Sequence, residues 1–465
     1  MAFGTRLTGA LLGICLTALA ASGCRDEGGS TGASVSPSPV AQPTAIPQPT
    51  DAELAAAGLD FPVAATADRV DLVLPPFSNP TKITNPLFPI SNLSSAILSG
   101  TVDDKDFKTE TTLLPDTRII EWNGVRIESL VSQYVAYLDG RIEEVALDHY
   151  AQADDGSVWY LGEDVFNYRD GLIADTEGTW FAGREGPPAL IMPGDPKVGD
   201  VYRPENIPGL VFEEVTIKAV DQTVDGPHGS VQGAIVASEL HQDGSREDKA
   251  FAPGYGEFLT ASGGDVEAMS LAVPADGLPG PVPVELEALS AEADDVFDLA
   301  ESGRWKAASA SVRTMGVAWK AFRTGDVPPR LETRMSRALD ELRRAVAAHD
   351  AIEARHAAVG VAQASLDLQL RHRPPAEIDR DRFELWARQL EVDAAAGNTG
   401  WVMGDLATLE WIRDRFVHTL DKVDAVRIDV HLGELRTRLN DDDLEGAGAE
   451  AAHLDRTLAE LAGSS

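Results

Sequence analysis

Hydrophobic periodicity divides the chain near residue 280. From 80 to 273 the apolar runs are short and rich in β-branched and aromatic residues, as in Arg118-Ile119-Ile120-Glu121-Trp122 or the alternating Val131, Gln133, Val135, Tyr137. Tight-turn dipeptides punctuate them: Asn123-Gly124, Asp139-Gly140 and Asp155-Gly156. Such pairs between extended runs signal β-hairpins, because both turn positions need positive φ. Further runs at 211–220, 229–240 and 266–273 add strands, and no helix-length pattern separates them. Parallel βαβ units are therefore not expected. The pattern predicts an antiparallel β meander, curled into an open barrel or a curved sheet.

Beyond 284 the period changes. Leu286, Leu289, Ala293 and Val296 keep a 3-4 spacing, and the register restarts at Trp305, Val312, Met315, Trp319 and Phe322. Similar steps recur from Ile352, Val402 and Leu444, each after a cluster of turn residues. These spacings predict four helical hairpins, stacked as two pairs into a bundle or a short solenoid. The expected fold class is thus two-domain β + α. A Pro/Gly-rich linker at 276–283 divides a β domain (51–275) from a helical domain (284–465). This boundary predicts that fragments 51–277 and 284–465 fold separately.

Composition adds an address. Arg6 precedes a mostly apolar run over 7–20, too short to span a bilayer and the right length for a signal h-region. Ala21-Ser22-Gly23-Cys24 follows and resembles the lipobox of bacterial lipoproteins, with Ala21 where that family prefers Leu. The resemblance implies lipidation of Cys24 and a mature chain facing outside the cytoplasm, anchored to the cell membrane. An ordinary cleaved signal over 1–23 is the alternative. The other cysteine, Cys15, lies within the signal, so the mature chain has no internal disulfide. Residues 24–50 are rich in Gly, Ser, Thr and Pro and read as a disordered tether.

Charge excludes one class of partner. The net charge is −36. Residues 24–283 carry 41 acidic and 15 basic side chains; residues 284–465 carry 34 and 23. A surface this acidic, with no basic patch, should repel nucleic acid.

Several segments of the β domain carry a second resemblance. Thr84-Asn85-Pro86-Leu87-Phe88-Pro89-Ile90, Asp148-His149-Tyr150-Ala151-Gln152, 156–164, Gly178-Thr179-Trp180-Phe181-Ala182-Gly183, Met192-Pro193-Gly194-Asp195-Pro196 and Ala252-Pro253-Gly254-Tyr255-Gly256 together look like a family of uncharacterised exported bacterial domains. The resemblance implies an exported β domain and assigns no activity.

Two constellations carry candidate chemistry. Asp148, Tyr150 and Glu163 fall on two strands around the 154–156 turn, where acids and an aromatic can converge on a cation or polar ligand. The plain alternative is a turn with a core Trp159 and solvated acids. His349, Glu353 and His356 lie at i, i+4 and i+7, the spacing of metal ligands on one helix face, although Asp350 suggests a turn there. A divalent metal is the one cofactor these patterns admit. Asp367, Asp393 and Asp405 sit beside apolar stripe residues, where inward acids, helix caps or rim positions are the alternatives. The tryptophans at 305, 319, 386, 401 and 411 read as packing residues. No G-x-S-x-G, H-E-x-x-H or C-x-x-C occurs. The expectation is a lipid-anchored envelope protein that binds a small ligand or a protein partner. The alternatives are a hydrolase using the 148–164 acids and a metal-binding protein using the helical histidines.

Overall fold

The computed structural model describes residues 43–463. Near its start, β1 (Thr44–Ala45) and β2 (Val73–Leu74) form a small antiparallel pair around a short helix, α1 (Asp51–Ala56). The body begins with β3 (Ser95–Val102), β4 (Lys105–Trp122), β5 (Val125–Leu138), β6 (Arg141–Gln152) and β7 (Val158–Arg169). Short strands follow: β8 (Leu172–Asp175), β9 (Trp180–Phe181) and β10 (Ala189–Met192). The second half runs through β11 (Val201–Ile207), β12 (Val211–Gly226), β13 (Gly229–His241), β14 (Arg246–Ala252), β15 (Gly256–Ser262) and β16 (Asp265–Val273).

These fourteen strands form one antiparallel sheet, β10-β7-β6-β5-β4-β3-β16-β15-β14-β13-β12-β11, with β8 and β9 also on β7. It is a meander whose first and last strands meet, because β3 pairs with β16. The end strands β10 and β11 lie side by side without a ladder, so the curl stays open. At 123–124 and 139–140 the turns have positive φ at both residues, as their chemistry requires. At 155–156 only Gly156 does, and Asp155 instead accepts from the Ser157 amide. Segment 84–89 spans one end of the sheet. Thr84 and Asn85 amides donate to Gln152 Oε1, Asn85 Nδ2 donates to the Gly156 and Pro193 carbonyls, and Gly254 donates to the Pro86 carbonyl. Five of the segments that carry the family resemblance are thus drawn together at that end.

Eight helices follow among the described residues: α2 (Val284–Glu301), α3 (Trp305–Phe322), α4 (Pro329–Ala348), α5 (Ala351–Gln369), α6 (Pro375–Ala395), α7 (Thr399–Phe416), α8 (Lys422–Asn440) and α9 (Leu444–Gly463). They pair as hairpins. The apolar stripes of α2–α5 fill one core and those of α6–α9 another, the two four-helix groups meeting at α5 and α6. The two-domain β-then-α architecture is as the pattern predicts. No helix among the described residues is long and apolar enough to cross a membrane. Cys24 and residues 24–42 of the expected 24–50 tether lie outside the described residues; residues 44–50 are instead ordered, with β1 paired to β2, Ile46 buried and Thr50 capping α1.

The two domains share more than a linker. Ile97, Leu271 and Val273 of the sheet belong to the same buried cluster as α2–α5. Beside it lies a buried ionic network. Lys108 Nζ pairs with Glu110 (2.8 Å) and Asp367 (3.0 Å); Arg382 pairs with Asp367 (2.8 Å) and Asp379 (3.1 Å); Arg415 pairs with Glu110 (2.6 Å). A second cross-domain set joins Arg141 to Asp393 (2.6 Å) and Asp405 (3.0 Å), with His356 on Asp393. Asp367, Asp393 and Asp405 are therefore inward acids, not caps or rim residues.

Candidate functional site

Strand alternation sends every second residue of the sheet to its concave side. On β6 and β7 the register sets Asp148 opposite Glu163 and Tyr150 opposite Tyr160. All four are buried. Tyr160 donates its hydroxyl to Asp148 (2.6 Å), Tyr150 stacks on Tyr160 with centroids 4.9 Å apart, and Phe88 and Trp180 meet these rings edge-on. The structure brings the three sequence-selected residues Asp148, Tyr150 and Glu163 onto one face. His149 points the other way, beside Ser129, Phe181 and Arg118. Burial, with the Arg118 charge, lowers it to about 4, so it is neutral.

The sequence reading missed the other half of this interior. Register places Glu205 opposite Glu213, Glu213 opposite His241, and Glu239 opposite Glu247. Lys249 lies opposite Thr260, and Thr260 opposite Glu267. Both halves face one space: burial and the charges of Asp148 and Glu163 hold the Tyr150 and Tyr160 phenols well above their usual range, and Glu257 and Glu205 act on them from the far strands. Eight carboxylates (Asp148, Glu163, Glu205, Glu213, Glu239, Glu247, Glu257, Glu267) thus line the interior, against the cations Lys249 and His241.

Their geometry is tight around His241. Its Nδ1 lies 3.2 Å from Glu213 and its Nε2 3.4 Å from Glu247. Burial opposes its charge, but the hydrogen bonds to these two acids outweigh that and raise it to about 10. Lys249 Nζ sits 2.5 Å from Glu239. Glu239 is nevertheless pushed up, first by burial and then by Glu213. Ligand atoms of Glu213, Glu239 and His241 lie within 4.8 Å of one another. Two carboxylates and an imidazole suit a divalent transition metal or zinc. Tyr202, fully buried, points its hydroxyl toward Glu239 and Lys249 and has no hydrogen-bond partner. An unmet buried hydroxyl carries a desolvation penalty, and this one borders the same acids.

The helical histidines do not form the expected ligand face. His349 ends α4 in the left-handed conformation (φ 57°) and stacks on Trp305, while α5 starts only at Ala351 with Asp350 as its cap. Glu353 sits in the first turn of α5, and His356 turns to Asp393 (2.7 Å). The turn at Asp350 breaks the i, i+4, i+7 geometry. Among the tryptophans, Trp319, Trp386 and Trp411 pack against neighbours, and Trp401 is 43% exposed under the Arg141 guanidinium.

A signal for the missed half exists in the sequence. Glu213-x-Val215-x-Ile217, Glu239-x-His241 and Glu247-x-Lys249-x-Phe251 put charges in register with apolar residues, on the face that should be core. Comparison of the chain with protein-family models and with curated proteins gives no match.

Proposed function

We propose that this chain is an extracytoplasmic binding lipoprotein, anchored through lipid on Cys24, whose acidic barrel interior takes a cationic ligand. The carrying observation is the interior charge: among the described residues eight carboxylates line this space together with the cations Lys249 and His241, with the buried Tyr202 hydroxyl beside them. Glu213, Glu239 and His241 are the set best placed for a divalent metal. Asp148, Tyr150 and Glu163 would line the approach on the opposite strands. Binding such a cation must displace Lys249 from Glu239 and a proton from His241, so affinity should rise with pH.

The test is calorimetric titration of the detergent-solubilised full chain with Zn²⁺, Mn²⁺ and Ca²⁺, beside Glu213→Gln. One metal should bind the wild type and bind the variant at least about tenfold more weakly. If none of the three binds, or the variant binds equally well, the metal reading is wrong. Anchoring is tested apart: Cys24→Ala should leave the membrane fraction, and its retention after a high-salt wash would defeat the lipoprotein reading.

A further inference from the structure

A cleft between the sheet and the start of α4 has the reverse electrostatics of this interior. It opens where the end of β3, the middle of β16 and the β12–β13 turn meet the start of α4, and it measures about 500 Å³. Arg330, Arg334 and Arg337 line it from one helix face, at i, i+4 and i+7. Arg334 and Arg337 share a single carboxylate, Asp106, at 3.4 and 2.7 Å. Arg330 donates to the Ser99 carbonyl (3.0 Å). Burial lowers the Arg330 pKa and no carboxylate opposes that shift. In a chain of net charge −36, this guanidinium is half-buried without a balancing acid. Thr101 and Thr333 add hydroxyls to the wall, and Asp225 stands at the rim.

Three guanidiniums against Asp106 leave two positive charges at the wall, offset in part by Asp225. Guanidinium forks match tetrahedral oxyanions, and the positive end of the 20-residue α4 adds to their field. We propose that this cleft binds a phosphate group, either free phosphate or a phosphomonoester, held by Arg330 and Arg337 with the Thr101 and Thr333 hydroxyls. Asp106 holds both Arg337 (2.7 Å) and Arg334 (3.4 Å) at the wall, so phosphate shares Arg337 with it. The site joins the two domains, so an occupant would bridge sheet and helices.

The experiment compares thermal midpoints of the full chain in inorganic phosphate and in chloride at equal ionic strength. Saturating phosphate should raise the midpoint by about 3 °C or more. Arg330→Gln and Arg337→Gln should each weaken phosphate binding, measured by titration, by about tenfold or more. Arg337 is half-exposed, so Arg337→Gln should keep the wild-type midpoint in chloride and serves even if Arg330→Gln does not fold. Equal midpoints in phosphate and chloride would overturn the proposal, as would undiminished phosphate binding by both variants. Sedimentation of the Cys24→Ala chain, which lacks the proposed anchor, with vesicles containing phosphatidate assigns the source, the Arg337→Gln change being made in that same background. Retention that inorganic phosphate competes away points to a lipid headgroup, and no retention points to a soluble phosphate. Retention that phosphate leaves intact, with and without Arg337→Gln alike, counts against the cleft.

Discussion

Glu267 and Glu110 sit on neighbouring parts of one sheet and respond to pH in opposite senses. Glu267 faces the acidic interior, where burial and then the charge of Glu257 raise it to about 7, against the Thr109 hydroxyl and Lys249. Its folded form holds a proton that the unfolded chain releases near pH 4.3, so this residue's contribution falls as pH rises from about 4.3 to about 7. Glu110 faces the helices. Burial disfavours its charge, but Arg382, Lys108 and Arg415 hold its carboxyl well below the usual range. Its contribution is complete above the unfolded value and is lost as pH falls through the folded one. Glu267→Gln should therefore stabilise the protein at pH 8 by about 1–3 kcal/mol and leave it nearly unchanged at pH 4. Denaturant melts at the two pH values check this; a variant less stable at pH 8 would contradict the interior charge. The acids of β6 and β7 were legible in the sequence because they cluster around one turn. Those of β11–β14 carry only the weaker signal of charges alternating with apolar residues, and which space they share with Asp148 and Glu163 depends on the curl of the sheet, not on any local pattern.

Among the elements, the β7–β8 turn shows what local chemistry specifies and what it leaves open. Asp170-Gly171 has positive φ at both residues, like the other two-residue hairpins. Alanine at a positive-φ turn position ordinarily carries a modest strain. Here a Cβ on Gly171 would lie 2.1 Å from the Gly400 carbonyl oxygen and 2.3 Å from the Gly404 amide nitrogen. The hairpin tip is seated against the first turn of α7, and the glycines on both sides permit that approach. Gly171→Ala should destabilise by about 2–4 kcal/mol, whereas Gly140→Ala, with nothing near its added Cβ, should cost about 1 kcal/mol. Equal losses for the two variants, measured by chemical denaturation, would show that α7 does not press on this turn. The hairpins themselves were readable from dipeptides at 123–124 and 139–140. The docking was not, because 229 residues separate Gly171 from Gly400.

At the scale of the whole molecule, contacts between sheet and helices weigh against the expectation of two separately folding fragments. A helical fragment 284–465 would leave Asp367, Arg382, Asp379 and Arg415 without Glu110 and Lys108, and the core around Leu286 and Leu289 without Ile97 and Leu271. Buried charge is costly when its partners are removed. Fragment 284–465 should thus be markedly less stable than the same residues in the full chain, and adding fragment 51–277 should restore cooperative melting. A helical fragment that melts as the full chain does would disprove the coupling. Within the intact protein, Arg382→Met leaves Asp367 and Asp379 with one cation fewer. A loss of about 3–5 kcal/mol is expected, read from urea melts.

The sequence by itself determined the kind of each element and their order. Period-two runs with positive-φ turn pairs make strands, and 3-4 stripes with turn clusters make helices, because both signals act over a few residues. It also determined that acids outnumber cations most heavily in the β half. The tertiary structure decided which acids share a space. Curling the sheet brings β6 and β7 opposite β11–β15, so Asp148 and Glu239 line one interior although no local pattern connects them. It decided too that Asp350 ends one helix and caps the next, which separates His349 from His356. Alternation sends a residue to one face or the other; only the curl of the sheet and docking of the helices determine what that face meets.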